Sequence, residues 1–156
     1  MKKILLIVFI VIVGGAAYWL LSPFFITRTA NEAMEELIRA TTAATDAGRI
    51  ESQILAKGDF KGESFHQAEG TAELVKVGEK YFIRLEKDFR VTNGPDLFIH
   101  LGKDGAYVKE ARLGALKGNV GSQNYEIPSD INPLNYNEVW IWCRAFSVPF
   151  GKAVLR

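Results

Sequence analysis

The sequence has few of the residues that carry most protein chemistry. Its 156 residues include one cysteine, Cys143, and two histidines, His66 and His100. A lone cysteine cannot form a disulfide within the chain, so the domain must be stable through its core. The sequence also lacks a haem-attachment motif, a paired-cysteine metal site and a Gly-rich phosphate loop followed by Lys-Ser/Thr. These absences exclude the commonest cofactor fingerprints and leave the cofactor unknown.

An excess of charge of one sign is also missing. The chain has 19 Lys and Arg residues against 18 Asp and Glu residues, and two of the basic residues are Lys2 and Lys3 at the N-terminus. Proteins that bind nucleic acids normally carry a basic patch that neutralises phosphates. We therefore expect no nucleic-acid partner.

One long apolar run opens the chain. Lys2 and Lys3 precede Ile4–Ile26, which is long enough to cross a bilayer, since a span needs about 20 apolar residues. This pattern predicts a membrane anchor over residues 1–26, with the N-terminus cytoplasmic and the rest of the chain extracytoplasmic. The alternative is a signal peptide that is cleaved near Gly15-Ala16-Ala17, which would release a secreted protein.

A linker over residues 27–49 separates this segment from the rest of the chain. It has no proline, and its spacing of apolar residues predicts a short helix from about Glu32 to Ala44. Met34, Leu37 and Ile38 would pack on the domain or on lipid headgroups, or the segment would serve only as a spacer.

From residue 50 the pattern changes to alternating apolar and polar residues with frequent glycines. This change predicts an all-β domain over residues 50–156, a β-sandwich-like fold of about seven or more short strands. The predicted strands are 71–77, 81–86, 89–92, 97–101, 122–127, 139–146 and 152–155. Asn93-Gly94-Pro95-Asp96 predicts a tight turn in which Gly94 adopts a positive φ, with the Asn93 and Asp96 side chains bonded to nearby backbone.

The strand over residues 139–146 contains the most reactive side chain in the sequence. By alternation, Val139, Ile141 and Cys143 share one face, and Trp140, Trp142 and Arg144 share the other. Cys143 is then either a small buried hydrophobe or a redox thiol or metal ligand. From the pattern alone both histidines are read as structural residues, and His66 becomes a candidate second ligand or proton partner only through the family resemblance described below.

Several segments together carry a family resemblance. They occur in the order HQAEGTAEL (66–74), RLEKDFRV (84–91), TNGPDLFIHL (92–101), LGALKGNVGSQNYEIP (113–128) and VWIWCRAFSVPFG (139–151). Over roughly Lys57–Leu155 the chain resembles the electron-transfer DM-thirteen domain family.

The resemblance implies an extracytoplasmic β-sandwich-type domain with a redox role centred on its cysteine, here Cys143. It also favours His66 over His100, because His66 lies within a family motif. Two functions are expected. The first is a redox or electron-transfer accessory domain with its partner on a separate redox protein. The second is a non-catalytic envelope binding module in which Cys143 belongs only to the core.

Overall fold

The computed structural model describes residues 2–45 and 51–156, which form two helices followed by a β domain. The predicted domain boundary at residues 49–50 lies outside the described residues. The helices are α1 (Lys2–Phe25) and α2 (Met34–Thr45). A short 3-10 helix covers Pro133–Asn135. The strands are β1 (Ser52–Gly62), β2 (Ala68–Glu69), β3 (Thr71–Val77), β4 (Lys80–Leu85), β5 (Arg90–Val91), β6 (Leu97–Lys103), β7 (Ala106–Ala115), β8 (Gln123–Glu126), β9 (Glu138–Cys143) and β10 (Val148–Val154).

Eight strands form one antiparallel sheet in the order β7-β6-β9-β10-β1-β3-β4-β8, and β2 pairs separately with β5. Strand β1 connects the two halves of the large sheet, because Ser52–Asp59 pair with β3 and Phe60–Gly62 pair with β10. A register shift between Ile54 and Ala56 bends the strand, as bulges do. The sheet therefore curls until its edge strands β7 and β8 approach each other.

The expectation of a mostly β domain is confirmed, but the arrangement of its strands differs from a two-sheet sandwich. A sandwich packs two separate sheets face to face, whereas here one nearly closed sheet surrounds a single core. Strands β1 and β7 were not predicted from the sequence, because the predicted strands begin at residue 71 and none covers residues 106–115. Both have register shifts and mostly solvated side chains, so their sequences show no regular alternation.

The core fills the inside of the curled sheet with side chains from nearly every strand. Its fully buried members include Phe89, Ile83, Leu85, Ile99, Leu101, Val139, Ile141 and Cys143. Burying a side chain of this size stabilises a fold by about 1.5–3 kcal/mol. A single cluster of this extent explains how the domain is stable without a disulfide.

Helix α2 confirms the short helix predicted in the linker, and it packs on the β domain. Met34, Leu37 and Ile38 cover a second apolar cluster on the outer face of β3 and β4. That cluster consists of Val75, Val77 and Phe82. The spacing of the three helical residues places them on one face, which is why they pack together.

The extended segment Thr27–Glu32, which we call the strap, runs along the β domain between the two helices. The Asn119 amide donates to the Arg28 carbonyl over 2.7 Å, and the Ala30 amide donates to the Val120 carbonyl over 2.9 Å. Thr29 and Val120 form a parallel bridge. The backbone of the chain is thus joined to the β domain directly after α1.

Helix α1 coincides with the predicted apolar segment and confirms that this segment is helical. Its described apolar side chains, among them Ile7, Phe9 and Ile12, are exposed on the protein. In the part of the chain that the structure describes, no helix meets the combined length and apolarity needed to cross a membrane. The predicted transmembrane helix is therefore confirmed only as a helix.

Candidate functional site

Cys143 is the last residue of β9 and points into the core. Val139, Ile141 and Cys143 are each 0% exposed, so the predicted shared face is confirmed and is the inner face. The predicted strand over residues 139–146 ends earlier, because a turn follows Cys143. Arg144 lies in that turn and pairs with Asp96, and is not part of the strand.

The surroundings of Cys143 are apolar. Its Cα partners on the neighbouring strands are Leu97 of β6 and Val148 of β10, and the thiol is free. Among the described residues no group of three or more His, Cys, Asp or Glu side chains gathers in a way that could hold a metal ion. The arrangement is that of a small hydrophobe in a dry core.

His66 lies at the mouth of a groove and is not among the residues that pack around Cys143. The loop that carries it contains Ser64 and Phe65 at φ values of 50° and 68°, and Phe65 is fully exposed. The His66 ring stacks on Phe150 at a centroid distance of 3.5 Å. Burial lowers the pKa of His66. The structure therefore does not join His66 and Cys143 into one site by any described hydrogen bond.

The groove beside His66, which we call the histidine groove, has a volume of about 790 Å³. Its polar walls are held in place by internal bonds. Arg90 pairs with Glu69 at 2.9 Å, and the Thr92 hydroxyl accepts from the Gln67 amide at 2.9 Å. The lining residues are Thr27, Gly62, His66, Gln67, Ala68, Glu69, Arg90, Val91, Thr92, Asn93 and Val120. A groove of this size suits a small polar ligand.

The predicted turn at residues 93–96 contains a bend, but the prediction of a positive φ at Gly94 is wrong. Gly94 is not among the residues with positive φ. The side chains of Asn93 and Asp96 also bond outside the turn. The Asn93 amide donates to the Thr27 hydroxyl over 3.2 Å, and Asp96 accepts from Arg144 over 2.8 Å. The segment thus ties β6 to the strap and to the β9–β10 turn.

His100 is more deeply buried than His66 and lies on the outer face of β6. Its Nδ1 is 3.3 Å from the Val108 carbonyl oxygen, and its ring meets Tyr107 edge-on at 5.2 Å. Burial lowers the pKa of His100, and the positive charge of Arg112 lowers it further. Both effects favour the neutral imidazole at pH 7.

Sequence reasoning did not identify a buried polar cluster around Gln123. Its side chain donates to the Gly118 carbonyl over 2.7 Å and accepts from the Tyr125 hydroxyl over 2.6 Å. The Lys117 amide donates to both Gln123 and Tyr125, and burial raises the pKa of Tyr125. The motif Gly-x-Gln-x-Tyr at residues 121–125 was the available signal. The structure shows that this motif fixes a loop.

Comparison with known families gives one match. The family model described as "Electron transfer DM13" matches residues 59–155, which is nearly the whole β domain. The chain belongs to this electron transfer DM13 family. No curated protein and no solved structure matches the chain. The family motifs at Asn93–Asp96 and Gln123–Tyr125 mainly make structural contacts in this DM13 domain.

Proposed function

We propose that this chain is an electron-transfer accessory domain whose redox partner is a separate molecule. The observation that carries the proposal is the family match over residues 59–155. A partner is required because Cys143 is the only cysteine, and a dithiol cycle needs a second thiol.

The finer form of the proposal makes Cys143 the redox centre, as the resemblance implies. Its burial restricts that chemistry, because a fully enclosed thiol cannot meet a partner disulfide in the folded domain. The end of β9 would have to open at the Arg144–Ser147 turn. The Cys143 thiolate would then attack one sulfur of the partner disulfide, and the other sulfur would leave as a thiolate.

Voltammetry of the purified full chain tests this proposal. Wild type should show a redox wave that Cys143→Ala abolishes, while the Thr42→Ala control on α2 should retain it. Alanine is the better replacement than serine, because a serine hydroxyl in a dry core costs about 1–3 kcal/mol. A wave of equal size in Cys143→Ala would reject Cys143 as the centre, and no wave in wild type would reject intrinsic electron transfer.

A second candidate function is a non-catalytic binding module. Two observations favour it: Cys143 packs as a core residue, and Phe65 stands fully exposed beside the histidine groove. An exposed aromatic ring offers a partner a large apolar contact area. If the chain is a binding module, Cys143→Ala should still bind the partner, whereas Phe65→Ser should not.

The extracytoplasmic location is a further part of the proposal and comes from Lys2, Lys3 and the apolar run that follows. N-terminal mass spectrometry of the mature protein from fractionated cells tests it. We expect Met1 or Lys2 at the N-terminus in the membrane fraction. A mature start at Tyr18 in the soluble extracytoplasmic fraction would select the secreted alternative.

A further inference from the structure

A second groove, which we call the aromatic groove, lies on the outer face of β6, β7 and β9. Its volume is about 540 Å³, within the range of small-molecule sites. The lining residues are Phe98, His100, Tyr107, Lys109, Glu110, Arg112, Trp142, Arg144 and Ser147. Neither Cys143 nor His66 lines this groove, so it is a different site from the one proposed around those two residues.

The walls of the aromatic groove are flat rings in fixed positions. Trp142 and Tyr107 stack at a centroid distance of 3.9 Å with an interplanar angle of 22°. Phe98 is the Cα partner of Trp142 on the adjacent strand, so its side chain stands beside the same surface. Rings held by cross-strand pairing lose little conformational freedom when a planar ligand stacks on them.

The charge of the aromatic groove is mainly positive. Its lining contains three cationic side chains and a single carboxylate, that of Glu110. The Arg144 and Arg112 guanidinium groups lie 4.7 Å and 5.1 Å from the centre of the Phe98 ring. Arg144 is already paired with Asp96. The Arg112 side chain contacts the Phe98 ring but makes no hydrogen bond or ion pair with the described part of the chain, so its N–H donors remain available for an anion.

We propose that the aromatic groove binds a planar aromatic anion, with the ring system against Trp142 and the anionic group on Arg112. Aromatic side chains favour offset stacking on flat rings. The planar guanidinium of Arg112 suits a carboxylate or phosphate, to which it can donate two parallel hydrogen bonds. Sheet stabilisation alone explains the Trp142–Tyr107 stack, but it does not explain an unpaired arginine at the edge of a concave surface.

This inference goes beyond the proposed electron transfer and does not depend on it. A phosphorylated flavin is a planar aromatic anion that is able to carry electrons, but the proposed binding does not require it to do so. Loss of the redox wave in Cys143→Ala concerns the first proposal only. Binding measured in the dark, without any electron donor, concerns the second only.

Calorimetric titration of the full chain with two flavins tests the proposal. Flavin mononucleotide and riboflavin share one ring system, and only the former carries a phosphate. We expect wild type to bind the phosphorylated flavin about tenfold more tightly, the low end for a hydrogen bond to a charged group. Arg112→Gln should remove that difference and leave riboflavin binding unchanged. Arg39→Gln, which removes an exposed positive charge from α2, should change neither affinity.

Removal of the aromatic surface provides the second arm of the experiment. Trp142→Leu and, separately, Tyr107→Leu should weaken binding of both flavins, since the first removes the stacking surface and the second removes the ring that holds Trp142 in position. Near-native melting temperatures would establish that each variant is folded. Two variants are used so that the test stands even if one of them does not fold. Equal affinity for the two flavins in wild type, or unchanged binding in both leucine variants, would overturn the proposal. Equally tight binding of glucuronate, an anion without an aromatic ring, would overturn it as well.

Discussion

At Gly94 the chain passes within contact distance of two core side chains. A Cβ atom built there would lie 2.8 Å from a ring carbon of Phe150 and 2.9 Å from a methyl carbon of Leu97. Phe150 cannot easily move, because it is buried and its other face carries the stacked ring of His66. Glycine is therefore required at this position for space, since its φ is not positive.

We predict that Gly94→Ala lowers the free energy of unfolding by about 1–3 kcal/mol, the usual cost of overpacking a core. Urea denaturation of wild type and variant measures the difference. The double variant Gly94→Ala with Phe150→Leu supplies the control. If the contact is the cause, Gly94→Ala should cost clearly less in the Phe150→Leu background. An equal cost in both backgrounds would assign the effect to the backbone instead.

Side-chain direction was predictable at the residue scale, whereas contacts between distant segments were not. The inward direction of Cys143 follows from the alternation of β9, which needs only local sequence. The environment of His66 depends on Phe150, which lies in β10, near the end of the sequence. The pairing of Cys143 with His66 was inferred from the family motif. No local sequence pattern predicts the distance between a loop residue and a residue at the end of a strand in a curled sheet.

The strap is the element that connects the N-terminal part of the chain with the β domain. Its last residue, Glu32, accepts from Lys117 Nζ at 2.7 Å and from the Asn124 amide at 2.8 Å. The Glu32 carbonyl accepts from Arg84 at 3.1 Å. Gly121 lies against the Ala30 carbonyl and has a φ of 93°. The close approach of Ala30 explains why residues 118 and 121 are glycines.

We expect Glu32→Gln to destabilise the domain by about 1 kcal/mol. The variant weakens two charge-assisted hydrogen bonds, and the partly exposed position reduces their strength. Urea denaturation measures the loss, and hydrogen exchange of the Ala30 and Glu32 amides should show faster opening of the strap.

Glu36→Gln on α2 removes an equal charge from an exposed side chain and should change neither measurement. Unchanged amide exchange in Glu32→Gln would contradict a structural role of this carboxylate.

Elements with a regular pattern were predictable, and irregular ones were not. Strands β3 and β4 follow from alternation and from the Gly78-Glu79 turn between them. Strand β7 has register shifts and a solvated face, so no period of two is visible in its sequence. The strap consists of one short extended segment without periodicity, and its partner at residues 118–122 is far away in the chain.

At the scale of the whole molecule, the closure of the sheet depends on β1. Each half of this strand pairs with a different neighbour, and the bend at Ile54–Ala56 lies between shifted registers. Sequence alone predicts several of the strands and turns, but β1 is not among the predicted strands. The sequence also does not predict whether one strand pairs with both halves of a sheet, because that depends on the pairing register between strands that are far apart in the chain. A sandwich and a curled sheet therefore have the same local sequence pattern.

One enclosed core leads to a prediction about access to the only thiol. Cys143 is 0% exposed, lies on a central strand and pairs with strands on both sides. An aromatic disulfide reagent should therefore react with the native chain at least about a thousandfold more slowly than with the urea-unfolded chain, since domains of this kind are stable by about 5 kcal/mol or more.

The dependence of the native reaction rate on urea distinguishes two ways of reaching Cys143. If the thiol reacts only after global unfolding, the logarithm of the reaction rate rises with urea concentration. Its slope then equals that of the free energy of unfolding, because both processes expose the same surface. We expect this result if Cys143 is only a core residue, since the inner face of β9 packs against the whole core. It would count against Cys143 as the redox centre, because that proposal requires local opening at the Arg144–Ser147 turn. A slope near zero would instead show local fraying at the Arg144–Ser147 turn. Such fraying would give a redox partner access to the thiol without unfolding of the domain, whereas the global slope would restrict any thiol exchange at Cys143 to the rare unfolded chain.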